Sequence, residues 1–460
     1  MSYQIVQLNV SQTFAPAPIT LQSSGAFISQ GGTTLANGTS ALLTQNSDLT
    51  PLLAAPLAIT SLAWSSSVVL ATTTAAIPGL STGDTFITTV TGATPAAYNG
   101  LVLATVTGAN TFTYALAANP GAETVPGTYT PPGQGELVSM VGTFFGQGTA
   151  QSAYVLELGP GDEANGTTAL AAWIIANPGV YYSYLVPRIW DVSSGLLALI
   201  AAYEAPTAKV YFWVTTTLAN WSTYTKLMKC VNARIEAPGI PLTEFSQAVA
   251  FQKSLSYAPS SGNRMTPLAF SYYNGVTPYP TRGNNALLTT LQNANINVIG
   301  TGAEGGSSTA LDWWGKMLDG NDFSYWYSVD WYQLAAAQAL AADVQNGSNS
   351  SLNPLTYDQH GIDTLQDSLI QVNNDAITFN LANGTVARAA LDGPAFQQAL
   401  DSGAYVDQDV VNAVPFKIYV AENPSDFQAE TYKGLSSVYI PQRGFMKIVF
   451  NLNVSSFLGI

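Results

Sequence analysis

The sequence has no lysine or arginine before Arg188, a single histidine (His360) and a single cysteine (Cys230) in 460 residues. Only 9% of its residues are charged, against about 25% in an ordinary soluble chain. One cysteine excludes an intramolecular disulfide and a cysteine-based zinc site within one chain, and it suits a reducing compartment. One histidine leaves no imidazole pair for a metal and makes His360 the sole candidate proton shuttle for a Ser-His-Asp triad. His360 precedes Gly361 at a helix start with no Gly-x-Ser-x-Gly nearby, so a structural or exposed histidine is expected. The formal net charge is −14 and basic clusters are absent. That excludes the counterion-displacing surface of a nucleic-acid binder and a polybasic membrane anchor. The most apolar runs, 196–203 and 334–342, are far too short to span a bilayer. The N-terminal MSYQIVQLNV has no basic n-region and no long apolar h-region, so no signal peptide is expected.

What is present is 47% hydrophobic residues, 39 glycines and 25 prolines. Ser, Thr, Asn, Gln and Gly must therefore keep the surface wet. Such a surface has little charge to desolvate when copies pack together, so coverage by other subunits is expected. The length suggests two to four domains. Asn-x-Ser/Thr triplets, as at Asn165 and Asn383, are expected by chance in so polar a composition.

Residues 3–10 (YQIVQLNV) alternate as a strand, with Tyr3, Ile5 and Gln7 on one side and Val6, Leu8 and Val10 on the other. Ala-Pro-Ala-Pro at 15–18 stops regular structure. The strand either stands off from the body or is the first strand of the local sheet. Residues 57–135 are rich in Ser, Thr, Gly, Ala and Val, with turn signals at 82–84, 98–100 and 108–110. Strand-like runs at 67–73, 85–91, 101–106 and 110–116 predict a separate small all-β module closed by 128–135. Strands at 153–158, 181–187, 209–215 and 296–299 then alternate with helices at 167–177, 193–202 and 242–254. Helix 167–177 places Leu170, Trp173 and Ile174 together, with Thr167 or Thr168 as its cap. The alternation implies an α/β layer with a largely covered sheet.

Helix 329–344 places Leu334, Ala337, Ala341 and Val344 on one face, and helix 362–372 places Ile362, Leu365, Leu369 and Val372 on one face. Strands are expected at 376–381, 415–421 and 445–454. In the last, Met446, Ile448, Phe450, Leu452 and Val454 form an apolar face.

No constellation predicts an enzyme. Asp312, Asp319, Asp322 and Asp330 lie among aromatics in 312–331 and could supply a glycosidase carboxylate pair. A capped helix with aromatic packing, or an aromatic interface patch, explains them more simply. The run fails as an EF-hand loop, with Phe323 at a ligand position and Gly320 misplaced. The glycine-rich stretches 159–166 and 300–306 match no phosphate loop and predict turns. Asp407 and Asp409 are expected on a solvated face. No cofactor or metal is expected.

Several signatures resemble the tail sheath proteins of contractile bacteriophages (myophages). They are the run 154–188 ending in Tyr184-Leu185-Val186-Pro187-Arg188, and the helix 242–254 followed by Tyr257-Ala258-Pro259-Ser260-Ser261-Gly262-Asn263-Arg264-Met265-Thr266. Asn274-Gly275-Val276 then leads to the strand 296–299, and the C-terminal order is helix 329–344, Pro354-Leu355-Thr356-Tyr357, helix 362–372 and strand 445–454. The resemblance covers 135–460. The segment 57–136, with Gly83-Asp84, Tyr98-Asn99-Gly100 and Asn110-Thr111-Phe112-Thr113-Tyr114, looks like a small β module inserted in phage structural proteins.

The resemblance implies an α/β (α+β) multidomain sheath fold with an inserted small all-β domain and terminal strand arms. Its parts would be an arm and linker at 1–20, the start of the body at 21–56, the inserted domain at 57–136, the body at 137–345, a tube-proximal domain at 346–443 and a second arm at 444–460. Six subunits would ring a tail tube, and rings would stack into a helical cylinder that contracts to drive the tube through a host envelope. Tyr3, Ile5, Val6, Leu8 and Val10, and Met446, Ile448, Phe450, Leu452 and Val454, would exchange strands between subunits. Asp363, Gln366 and Asp367 would face the tube. Partners would be further copies of the chain and tube, baseplate and tail terminator proteins. The subunit would be assembled in the host cytoplasm and act in the virion, with no nucleic acid and no membrane. A static shell or surface-array protein, or a secreted carbohydrate-active enzyme, are the alternatives.

Overall fold

The computed structural model describes residues 21–148, 151–224, 228–280, 283–304, 307–382 and 411–443. The expected strands 3–10 and 445–454, with all their strand-exchange residues, and Asp407 and Asp409 lie outside the described residues.

The body is built on one nine-stranded sheet. Chain order begins with β1 (Gly25–Ser29) and β2 (Ser40–Leu43). Strands β3 (Leu57–Ser65), β4 (Val68–Thr73), β5 (Thr85–Thr91), β6 (Gly100–Gly108), β7 (Thr111–Ala115) and β8 (Thr128–Tyr129) form a separate barrel. The sheet resumes with β9 (Ala153–Glu157), β10 (Ser183–Leu185), β11 (Tyr211–Thr216), β12 (Val231–Ile235), β13 (Tyr272–Tyr273), β14 (Asn297–Glu304) and β15 (Ser307–Trp313). Its order is β13-β15-β14-β12-β11-β10-β1-β9-β2. From β9 to β14 every neighbouring pair runs parallel, while β2 and the β14–β15–β13 end are antiparallel.

Strands buried on both faces need apolar side chains on both. Strand β11, Tyr-Phe-Trp-Val-Thr-Thr, is buried throughout and shows both layers. Trp213 meets Phe251 of the helix Gln247–Leu255, and Phe27 meets Phe144 of the helix Gln134–Phe145. On the opposite face Tyr184 packs between Phe212 and Trp173 of the helix Glu163–Ala176. These helices are α1 (Gln134–Phe145), α2 (Glu163–Ala176), α3 (Ser194–Ala202) and α4 (Gln247–Leu255); α5 (Asn285–Asn293) follows. Ser193 caps α3 by accepting from Leu196 N. Helix α2 starts earlier than expected, because Asp162 rather than Thr167 or Thr168 is its cap, accepting from Asn165 N at 2.9 Å.

The barrel closes in the order β3-β4-β7-β6-β5-β8 and has its own core around Phe86, Phe112, Tyr114 and Tyr129. It carries Asp84 and Glu123 and no basic residue. Asn99 does not head a two-residue hairpin as Tyr98-Asn99-Gly100 suggested. Its amide instead bonds both backbone groups of Ala93, at 2.8 and 2.9 Å. The β3–β4 turn uses Ser66 and Ser67, both at positive φ, the conformation that a twisted two-residue hairpin requires.

The C-terminal part holds α6 (Phe323–Asn349), α7 (Gln359–Thr378), β16 (Val411–Ala413), α8 (Phe416–Glu422), α9 (Pro424–Gln428) and β17 (Leu435–Ser437). Two expected strands are helical here. Residues 376–378 continue α7, because Ala376 stays on its buried face with Val372 and Leu369. Residues 416–421 form α8, started at Pro415, with only Tyr419 buried among them, so the short apolar run follows a helical rather than an alternating pattern. The stretch 300–304, expected as a turn, is part of β14. A Cβ at Gly300 or Gly302 would collide with Trp313 or Leu311 across the hairpin, so glycine permits the close pairing. The inward face of α7 is as expected, with Ile362, Leu369 and Val372 buried. The face read on 329–344 is not internal: Ala337, Ala341 and Val344 are exposed.

Candidate assembly surfaces and buried ionic groups

The four candidate carboxylates are each held by separate protein groups. Asp312 on β15 is fully buried and pairs with Arg234 on β12, Nη2 to Oδ2 at 2.8 Å. Tyr273 donates to the same oxygen at 2.7 Å, and Gln247 accepts from Arg234 Nε at 2.7 Å. Asp319 accepts from Trp326 Nε1 at 2.7 Å and from Asn321. Asp322 caps α6, accepting from Ser324 N at 2.7 Å and Leu268 N at 3.2 Å; burial pushes its pKa up to about 6. Asp330 accepts from Tyr182 and Tyr211 beneath the sheet. Their partners fix the fold, and no acid–base pair faces a shared cleft among these bonds.

His360 is exposed on the first turn of α7. Cys230 is buried, its sulfur 2.8 Å from Glu204 Oε1, and burial pushes the thiol pKa well up, as suits an unreactive thiol. Among the described residues no group of three His, Cys, Asp or Glu could hold a metal ion. No described helix is long and apolar enough to cross a membrane.

Sequence reasoning missed the polar joint where barrel meets body. Arg188 makes a bidentate pair with Glu236, both bonds at 2.7 Å, reaches Glu136 at 3.5 Å and lies 4.2 Å over the Phe245 ring. Glu136 stands on α1 just beyond the barrel's exit. The signal was the first basic residue of the chain, placed directly after a strand.

Three surfaces remain. Along α7, Gln359, Asp363, Asp367, Gln371 and Asp375 recur every four residues, and the helix has no lysine or arginine. Gln359 and Gln371 each bond the acid one turn on, at 2.7 and 2.9 Å, so the stripe is braced as a continuous acidic edge. Asp363 and Asp367 are exposed, whereas Gln366 turns inward and donates to the Val411 carbonyl at 3.0 Å. Beside it, Leu340, Val344, Leu355, Ile362 and Leu435 line an apolar groove of about 340 Å³. Finally, among the described residues β16 and β17 form a two-stranded antiparallel sheet, with Asn412 opposite Ser436.

No family model matches the chain, and no curated protein matches it. Solved structures do. A chain in the cryo-EM structure of the anti-feeding prophage (AFP) baseplate, 6-fold symmetrised, is similar with a TM-score of 0.51 and 13% identity over 99% of both chains. The AFP helical sheath in contracted state gives a TM-score of 0.49 and 11% identity, covering 98% of this chain and 99% of that one. The sheath tail protein Lin1278 from Listeria innocua gives 0.40 and 9%, covering 80% of this chain and 87% of that one. These neighbours are phage-tail-like sheath and baseplate components, structural proteins of assembled particles. At such identities the likeness concerns the fold.

Proposed function

We propose that the protein is a structural subunit of a contractile tail sheath. It polymerises as stacked six-membered rings around a tail tube, and it drives that tube through a host envelope by repacking. The observation that carries this is the likeness of fold, from one end of the chain to the other, to a chain of the 6-fold AFP baseplate. The low charge supports it, since subunit faces can slide and repack without stranding buried ions. Residues 3–10 and 445–454 are the exchanged strands. The β16–β17 pair is the sheet they extend, on the β17 side, because Gln366 already occupies the Val411 carbonyl of β16. The acidic edge of α7 at Asp363 and Asp367 faces the tube. The division into arms, body and tube-proximal domain follows the sequence limits given above. Baseplate and terminator proteins close the ends, and assembly takes place in the host cytoplasm.

Electron microscopy of the purified chain, alone and with its tube protein, tests this. Hollow six-fold tubes are expected. Flat sheets or closed shells, with or without tube protein, would favour a static array instead.

The barrel is an inserted domain that projects outward and takes no part in ring contacts. It has its own core, and its exit at 130–133 lies close to its entry at 54–56, since β8 pairs with β3. Excision of residues 57–130 is expected to leave the assembly state unchanged, as read by sedimentation and microscopy. Loss of assembly in an excised variant that still unfolds cooperatively would overturn this placement.

A further inference from the structure

Helix α6 joins two parts of the subunit through side chains on neighbouring turns. On its sheet side, Asp330 is wholly buried and accepts from Tyr182 at 2.8 Å and from Tyr211 at 2.7 Å. Both bonds end on Oδ2, while Oδ1 has no hydrogen-bond partner among the described residues. The charged and titratable groups facing this carboxyl are Tyr182 and Tyr211 from the sheet, and Lys229 and Lys209 from the entries to β12 and β11. Lys209 is bonded to Gln333 and Lys229 to the Ala208 carbonyl, so neither cation caps Oδ1. On the other side of the helix, the Tyr332 hydroxyl meets Ser437 Oγ at the end of β17, and the Tyr332 ring stacks on Tyr439 at 4.4 Å. Ser328 bonds the Tyr439 hydroxyl at 2.6 Å, and Trp331 packs edge-on against Phe379.

We propose that this stretch of α6 is a coupling joint between the body sheet and the β16–β17 pair, and that the half-partnered Asp330 carboxylate keeps the joint loosely seated. A buried carboxylate with one free oxygen is a standing destabilisation. Two tyrosines hold it in place without neutralising it. Because the same few residues grip Ser437 and Tyr439, loosening the helix loosens β17. The use of this joint in contraction rests on the sheath function proposed above; the joint itself is a property of the single subunit.

Burial raises the Asp330 pKa from 3.8 to about 6. The folded state therefore binds this proton more tightly than the unfolded state. Its stabilisation is complete below about pH 4 and is lost as pH rises through about 6. Asp330→Asn keeps an acceptor for both tyrosines and removes the charge. On the monomer, the variant's folding equilibrium should exceed the wild type's by roughly 10- to 100-fold at pH 8, with the gap closing by pH 4. Amide hydrogen exchange in 411–413 and 435–437 should slow in Asp330→Asn, and the slowing should vanish when Tyr332→Phe is added. A pH-independent stability difference, or unchanged exchange at 435–437, overturns the proposal. Should Asp330→Asn not fold, the wild type decides. Protection of 435–437, corrected for intrinsic exchange, should fall between pH 5 and pH 8, and constant protection counts against the joint. Neither result depends on polymerisation, so failure here is distinct from failure of the sheath function.

Discussion

Removal of residues 1–12 is expected to give a folded monomer that no longer polymerises. The segment 3–10 would supply a ladder of backbone bonds to a neighbour, with Ile5, Val6, Leu8 and Val10 setting register by their alternation. Each bond contributes about 1 kcal/mol net. Losing four or so therefore weakens each contact by roughly three powers of ten. In the proposed assembly every subunit would make that contact, so the concentration needed for assembly should rise by a similar factor. Sedimentation and microscopy read the assembly, and circular dichroism reads the fold. Ordered tubes from the truncated chain would show that the N-terminal strand is not what links the subunits.

The second large effect concerns the interior. Asp312→Asn should destabilise the subunit by about 3–5 kcal/mol, because it leaves the Arg234 guanidinium buried without a counter-charge. Arg234 and Asp312 have no exposed side-chain surface, and their mutual distance is 2.8 Å. Replacing both, as Arg234→Met with Asp312→Leu, should be far milder than the single change, since an apolar pair removes the uncompensated charge. Urea unfolding measures all three. A single variant that unfolds at the wild-type midpoint would mean that the pair is not the keystone its burial suggests.

The sheet was legible where its strands are apolar without interruption. Tyr-Phe-Trp-Val in β11 can only be a covered strand, and β5 begins and ends where its β-branched run does. The interior strand β12 was not legible, for a physical reason. Its Val-Asn-Ala-Arg-Ile carries two polar residues whose partners, Gln247 and Asp312, lie 13 to 78 residues away in sequence. Only the folded chain brings those partners to it. The acidic residues of 312–331 were visible as a group, but their directions were not. One faces an arginine, one accepts from a tryptophan, one caps a helix and one sits under two tyrosines. Helix α8 was misread because Lys-Ile-Tyr-Val-Ala has strand propensity, and Pro415 decided the matter as a helix start. The scarcity of charge, by contrast, needed no structure to be noticed, and it leaves an acidic edge on α7 as the chief concentration of like charge on a described helix.

The closed barrel has a consequence for how such a chain can vary. A polymer joined by borrowed strands is at risk from any other sheet that offers a free edge. This ring closes through the two-residue β8, which pairs with Leu57 and Ala58 of β3 and with Val90 and Thr91 of β5, and Glu123 accepts from Leu62 N further along β3, so little strand edge is left for a neighbour to pair with. If the chain assembles as proposed, the loops of the barrel could therefore be lengthened or trimmed without offering growing tubes a false place to attach.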